Sequence, residues 1–167
     1  LEEVRVQDES KREKVRIEHL AGHNHVILTL ASWIREEWGH SFLEATFEEL
    51  RADLERRTTL HTIPETFVAL EDDRLVGTAS LVTHDMSIRL GLSPWLSAVY
   101  VPPEFRNRGI GSKLVRRAMQ EAEILGVEQL YLFTPDRMRF YTRLGWNILE
   151  RMEYHGQDVV VMRYKIV

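Results

Sequence analysis

The sequence predicts one mixed α/β (α+β) domain, a central mixed sheet with helices on both faces. Two observations carry that prediction. The apolar pattern switches between short strand-like runs and four-residue helical repeats, in the order strand, two helices, three strands, helix, strand, helix, two strands. The second is the stretch Val99 to Leu114, where a buried strand leads through a glycine-rich loop into a helix. A chain of 167 residues has the size of one domain and can bury a real core.

Residues 1 to 13 are dominated by charge and read as an extension, leaving 14 to 167 for the domain. Val15 to His19 can form the first strand. Val26, Leu30, Ile34 and Trp38 share one helical face, and Gly39 ends that helix. Phe47, Leu50 and Leu54 mark a second helix, opened by Thr46 with Glu49 three residues on as a capping box. Pro64 introduces a strand pair, Glu65 to Glu71 and Leu75 to Val82, turning at Asp72-Asp73. Thr83 to Pro94 reads as a loop bent at Gly91. Leu96, Ala98, Val99 and Val101 make a fourth strand, which Pro102-Pro103 ends by removing two backbone donors. Ile110, Leu114, Ala118 and Ala122 then repeat every four residues until Gly126 stops the helix. Val127 to Phe133 is another buried run. Trp146 to Tyr154 and Val159 to Lys165 close the chain as a hairpin about His155-Gly156-Gln157-Asp158.

The glycine loop carries the chemistry. Gly109 and Gly111 allow a tight turn with no Cβ in a ligand's way. The helix behind them presents unpaired N–H groups and a positive dipole end, which is an anion site. Arg106, Arg108, Lys113, Arg116 and Arg117 place five cations in twelve positions there. Cations at a helix N-terminus oppose the dipole by roughly 0.3–1 kcal/mol each, so an anion would offset them. The plainer alternative is a solvated face with Arg117–Glu121 as an i,i+4 pair. A P-loop is disfavoured because Arg106 stands where its first glycine belongs. A dinucleotide loop needs three glycines between strand and helix.

Arg106-x-x-Gly109-x-Gly111 resembles the pyrophosphate-binding signature of the GNAT superfamily of acyl-CoA-dependent N-acyltransferases. Tyr141-x-x-x-Gly145-Trp146 is similar to that family's Tyr-x-x-x-Gly-aromatic segment after its fifth strand. The match in order and spacing covers about residues 65 to 164. It implies a mostly antiparallel mixed sheet splayed between strands four and five, with acetyl-CoA or coenzyme A in the cleft. It assigns the pyrophosphate to Arg106, Asn107, Arg108, Gly109, Ile110, Gly111 and Ser112. It gives the pantetheine arm to the strand edge Val99, Tyr100 and Val101, where a backbone N–H also polarises the thioester carbonyl. Thr134 stands where many relatives carry a cofactor-bonding asparagine. Tyr141 matches the tyrosine that protonates the departing thiolate, and a phenol with a pKa near 10 is protonated at neutral pH.

The general base is not where the family keeps it. Many relatives carry a glutamate on strand four at the place of Trp95, which cannot accept a proton. His84 and Asp85 are the nearest substitutes, with Asp85 also able to anchor a cationic acceptor. Trp38, His40, His84, Asp85 and Trp95 are the candidate acceptor-side residues. The resemblance therefore implies an N-acetyltransferase acting on a primary amine, a small molecule or a peptide N-terminus, by direct attack in a ternary complex. The alternative is a non-catalytic acyl-CoA-binding or sensing module on the same fold.

Composition narrows the rest. A net charge of −4 argues against nucleic acid as partner. The chain has no cysteine, so disulfides, thiolate nucleophiles and zinc–thiolate sites are excluded and no metal is expected. No apolar run approaches the ~18 residues of a membrane span. The expectation is a cytoplasmic monomer or homodimer.

Overall fold

The structure, a computed structural model, describes residues 15–42 and 45–167. Among these, seven strands form one sheet: β1 Val15–His19, β2 Glu65–Glu71, β3 Arg74–Val82, β4 Trp95–Tyr100, β5 Gln129–Thr134, β6 Asn147–Tyr154 and β7 Gln157–Lys165. Their spatial order is β1-β2-β3-β4-β5-β7-β6. Four helices accompany them: α1 Ile27–Trp38, α2 Phe47–Arg56, α3 Ile110–Ile124 and α4 Met138–Arg143. The segment 1–13, expected as an extension, lies outside the described residues.

Alternation along β2 shows how the layers form. Phe67 and Ala69 point to one face and pack beneath Ile110, Leu114 and Ala118 of α3. Val68 and Leu70 point to the other and pack against Leu30, Ile34, Leu50 and Leu54 of α1 and α2. A third cluster, built on Trp95, Val161 and Tyr154, fills the sheet's far half. The predicted capping box at Thr46 is present: Thr46 Oγ1 accepts from the Glu49 amide at 3.2 Å, and Glu49 accepts from the Thr46 amide at 2.9 Å.

All neighbouring strands pair antiparallel except β4 and β5, which are parallel and share only the register Trp95↔Tyr131. Beyond that point the two strands diverge. A bulge in β4 adds to the divergence: Ser80↔Ser97 is followed by Thr78↔Tyr100, so Ala98 and Val99 together oppose Ala79. Ala98 holds φ +53°, unusual for a residue with a Cβ.

Two expectations need adjustment. The final hairpin turns on His155 and Gly156 alone, and β7 starts at Gln157 rather than Val159. Both turn residues have positive φ, 50° and 76°, which permits a two-residue connection. β4 begins at Trp95 and ends at Tyr100, before the prolines. Among the described residues no helix is long and apolar enough to cross a membrane.

Gly77 of β3 is where α3 comes closest. A Cβ there would lie 2.8 Å from Leu114 Cδ1, 3.2 Å from Ile110 Cγ2 and 3.3 Å from the Tyr100 carbonyl oxygen. Leu114 is fully buried and has nowhere to move. Gly77→Val should therefore destabilise the fold by about 1–3 kcal/mol, read as a lowered thermal midpoint, and an unchanged midpoint would show that α3 can shift freely.

Candidate active site

The fork between β4 and β5 opens into a cavity of about 910 Å³. One wall is Val99, Tyr100 and Val101 of β4; the opposite wall is Phe133 and Thr134 of β5 with Tyr141 of α4. The start of α3 closes one end, and Trp38 of α1 with Asp53 and Arg57 from the α2 segment closes the other. Tyr100 also meets Trp33 and Trp38, with ring centroids 5.4 and 6.2 Å apart. One continuous space thus joins the strand edge, a helix N-terminus and a mixed-charge end.

The loop before α3 has the backbone its sequence demands. Asn107 holds φ +61° and Gly109, the residue preceding the helix, φ +78°. The Lys113 amide bonds the Gly109 carbonyl at 3.1 Å. The amides of Ile110, Gly111 and Ser112 thereby open the helix. No side chain caps this end, and its first turn contains no acidic residue. Gly111 is different from Gly109: its φ is not positive, and a Cβ would make ordinary contact with Phe140 at 3.4 Å. What Gly111 offers is an uncovered approach to the helix amides.

The basic residues do not converge as the sequence suggested. Arg106 Nε donates to the Val101 carbonyl at 2.8 Å, and its guanidinium lies 5.8 Å from the centre of the Tyr100 ring. Arg108 is ion-paired with Glu71 and does not line the cavity. Arg117 donates to Glu121 at 2.8 Å, the i,i+4 pair weighed as an alternative. Lys113 and Arg116 are exposed. Each arginine that has found a partner has spent its guanidinium on the protein, so the anion-binding potential of this end resides mainly in backbone amides and the helix dipole.

The structure brings Tyr141, Thr134 and Asp85 into the cavity wall. Burial pushes the Tyr141 phenol well above its usual pKa, which keeps its proton in place. Thr134 Oγ1 accepts the Arg137 amide at 2.9 Å and retains a proton to donate. Asp85 accepts from Ser97 Oγ at 2.9 Å, directly before the β4 bulge. Burial raises its carboxyl to about 6, against the opposing pull of the Ser97 bond and the Arg57 charge. Arg57 in turn pairs with Asp53 and reaches Ser80 Oγ at 3.4 Å.

Other candidates lie elsewhere. Trp95 is 0% exposed, donates its indole N–H to the Leu92 carbonyl at 2.7 Å and packs beside Tyr131 and Phe133. It belongs to the core rather than the cavity wall, packed with Val82, Met86 and Val161. His40 is exposed in the turn after α1 and does not line the cavity. His84 opens onto a smaller neighbouring space of about 320 Å³ that shares Asp85 and also contains His155. Ser97 and Arg57 escaped the sequence reading. Ser97 had a faint signal, a hydroxyl beside the predicted pantetheine edge; Arg57 had none.

With this geometry in view, the comparisons are specific. The model of the acetyltransferase (GNAT) family matches residues 27–146. A sequence search among curated proteins finds no match. Among solved structures, an aminoglycoside 6'-N-acetyltransferase complexed with coenzyme A superposes with a TM-score of 0.72 at 18% identity, over 91% of this chain and 97% of that one. The protein yncA from Salmonella typhimurium, with its cofactor acetyl-CoA, gives 0.70 at 18% identity, over 92% and 95%. An acetyltransferase of the GNAT family from Streptococcus pneumoniae gives 0.68 at 18% identity, over 92% and 99%. At such identities the neighbours attest to a shared fold, while the family match spans most of the chain: this protein belongs to the acetyltransferase (GNAT) family.

Proposed function

We propose that this protein is an N-acetyltransferase of the cytoplasm, moving an acetyl group from acetyl-CoA to a primary amine by direct attack in a ternary complex. The observation that carries this reading is the single cavity joining the opening amides of α3, the β4 bulge, Tyr141 and Asp85. The uncapped α3 amides suit a pyrophosphate, and the diverging β4 edge suits an amide-bearing arm that pairs as an added strand would. Glu37, Glu49 and Asp53 join Asp85 on the cavity wall and outnumber Arg56 and Arg57 there, which favours a cationic acceptor.

Acetyl-CoA supplies the thioester: as the amine lone pair forms the C–N bond, the C–S bond breaks and its electron pair leaves on sulfur. A backbone N–H at the Ala98–Val99 bulge stabilises the charge that develops on the carbonyl oxygen. Tyr141 gives its proton to the departing sulfur. Asp85, ionised at neutral pH and held by Ser97, takes the proton that the amine must lose. Asp85 thus fills the role that Trp95 cannot.

Thiol release from acetyl-CoA against a panel of amines tests the reading as a whole. Amine-dependent release supports it; tight coenzyme A binding with no release for any amine would favour the sensing module instead. Tyr141→Phe should keep coenzyme A affinity near wild type and lower turnover by about 10²–10⁴. Full turnover in that variant would make Tyr141 a packing residue.

Asp85 predicts a pH dependence whose sign is fixed. Its carboxylate is the active form, so kcat/KM should fall as pH drops through about 6. Asp85→Asn should lower kcat/KM by about 10²-fold or more and abolish this acidic limb. Persistence of the limb in Asp85→Asn would assign it to another group.

The two glycines separate backbone from ligand demands. Gly109→Val forces a branched residue to φ +78° and should destroy the loop and coenzyme A binding together. Gly111→Ala should leave the thermal midpoint nearly unchanged while weakening coenzyme A about tenfold, or about 1.4 kcal/mol. Unaltered affinity in both would remove α3 as the pyrophosphate site.

A further inference from the structure

Under the second half of α3, a cluster of ligand-type side chains stands apart from the transfer cavity. His19 ends β1, Glu65 begins β2, Glu121 lies on α3, and His61 sits in the connection between α2 and β2. None of the four lines the transfer cavity. The β1–β2 register places His19 opposite Phe67, and period-two alternation puts Glu65 on the same face. His19, His61 and Glu121 each offer one ligand atom, all within 4.8 Å of one another. Glu65 is not one of these three and adjoins them at His19 Nδ1.

The telling group is Glu65. Its side chain is 0% exposed, yet neither carboxylate oxygen makes a well-formed hydrogen bond, the His61 backbone N–H approaching it only loosely, and His19 Nδ1 beside it has none either. Buried polar groups are rarely left so, and an ion is one of the few explanations. The spacing agrees. His19 Nδ1 and Glu65 Oε2 lie 3.4 Å apart, long for a hydrogen bond between such groups. Two ligands of one tetrahedral ion, each bonded at about 2.0–2.2 Å, stand about 3.3–3.6 Å apart.

We propose that His19, His61 and Glu121, joined by Glu65 from its place beside His19, hold one divalent transition ion of zinc's class, a site independent of the acetyl-transfer reading. His19 ligates through Nδ1, Glu65 through Oε2 and Glu121 through Oε1. His61 Nδ1 is 2.6 Å from Glu121 Oε1, so this imidazole must turn aside to admit the ion. It has the room, being 59% exposed. Arg117 Nη1 donates to Glu121 Oε2 at 2.8 Å and so fixes that carboxylate while leaving Oε1 for the metal.

Arg117 is also the competitor. Its Nη2 stands 3.3 Å from His19 Nε2, where the guanidinium can only donate. Ligation through Nδ1 leaves the proton on Nε2, so Nη2 withdraws when the ion enters. In return the ion supplies positive charge where two carboxylates face one guanidinium.

The experiment uses the full chain after stripping with a chelator. Calorimetry with Zn²⁺ and visible absorption with Co²⁺ should both report one ion per chain, the cobalt spectrum being that of a four-coordinate site. Zn²⁺ should raise the thermal midpoint. Glu65→Gln, which keeps the side chain's shape, and His61→Ala, at an exposed position, should each weaken binding at least about tenfold. Absence of stoichiometric binding, or affinity kept within about threefold in either variant, would overturn the site. Should Glu65→Gln fail to fold, His61→Ala decides alone.

Discussion

The site depends on one constraint: β4 and β5 run parallel but share a single register, Trp95↔Tyr131. A longer ladder would zip the fork shut and satisfy the strand edges with each other. Instead β5 commits its other edge to six antiparallel positions of β7, and β4 bends at Ala98 as it bulges away from β3. The consequence is a wall of backbone polar groups facing a cavity rather than a neighbouring strand. Such groups need partners, and an amide-bearing ligand that lies along β4 is the partner this geometry favours.

The second support is the position of α3. Its N-terminus reaches the mouth of the fork because Gly77 lets Leu114 and Ile110 settle directly on β3. That close approach aims the uncapped amides of Ile110, Gly111 and Ser112 at the cavity. The surrounding charges mostly look inward to the protein: Arg106 to the Val101 carbonyl, Arg108 to Glu71, Arg117 to Glu121. These contacts brace the loop and helix. The proposed anion site is thus a matter of backbone direction more than of cationic side chains, and its chemistry differs from a simple basic patch.

Much of this was legible in the sequence because it is local. The four-residue repeat from Ile110, the Thr46–Glu49 capping box and the Arg106–Gly111 loop each fit within a few turns of chain, where periodicity and capping rules apply. What escaped was set by pairing across distance. Asp85 was placed near the site, but its bond to Ser97 depends on β3 and β4 lying together, and Arg57 joins them only through the tertiary fold. Trp95 stands at the acceptor-side position in strand order, yet its indole bonds the Leu92 carbonyl and packs into the core of the sheet's far half. The His19–His61–Glu65–Glu121 cluster spans about a hundred residues of chain, and no spacing rule links its members. The two-residue turn of the final hairpin is equally hidden, because a histidine at φ +50° is not a residue that announces such a connection.

The central claim is that the first amides of α3 meet the anionic part of coenzyme A. Amide ¹H–¹⁵N spectra recorded during a coenzyme A titration test it most directly. The account predicts that Gly109, Ile110, Gly111 and Ser112 show the largest shifts, with the amides of Val99 and Val101 moving alongside them at the same saturation point. Large shifts confined to the side-chain signals of Arg108, Lys113 and Arg116, with the α3 amides unmoved, would contradict it.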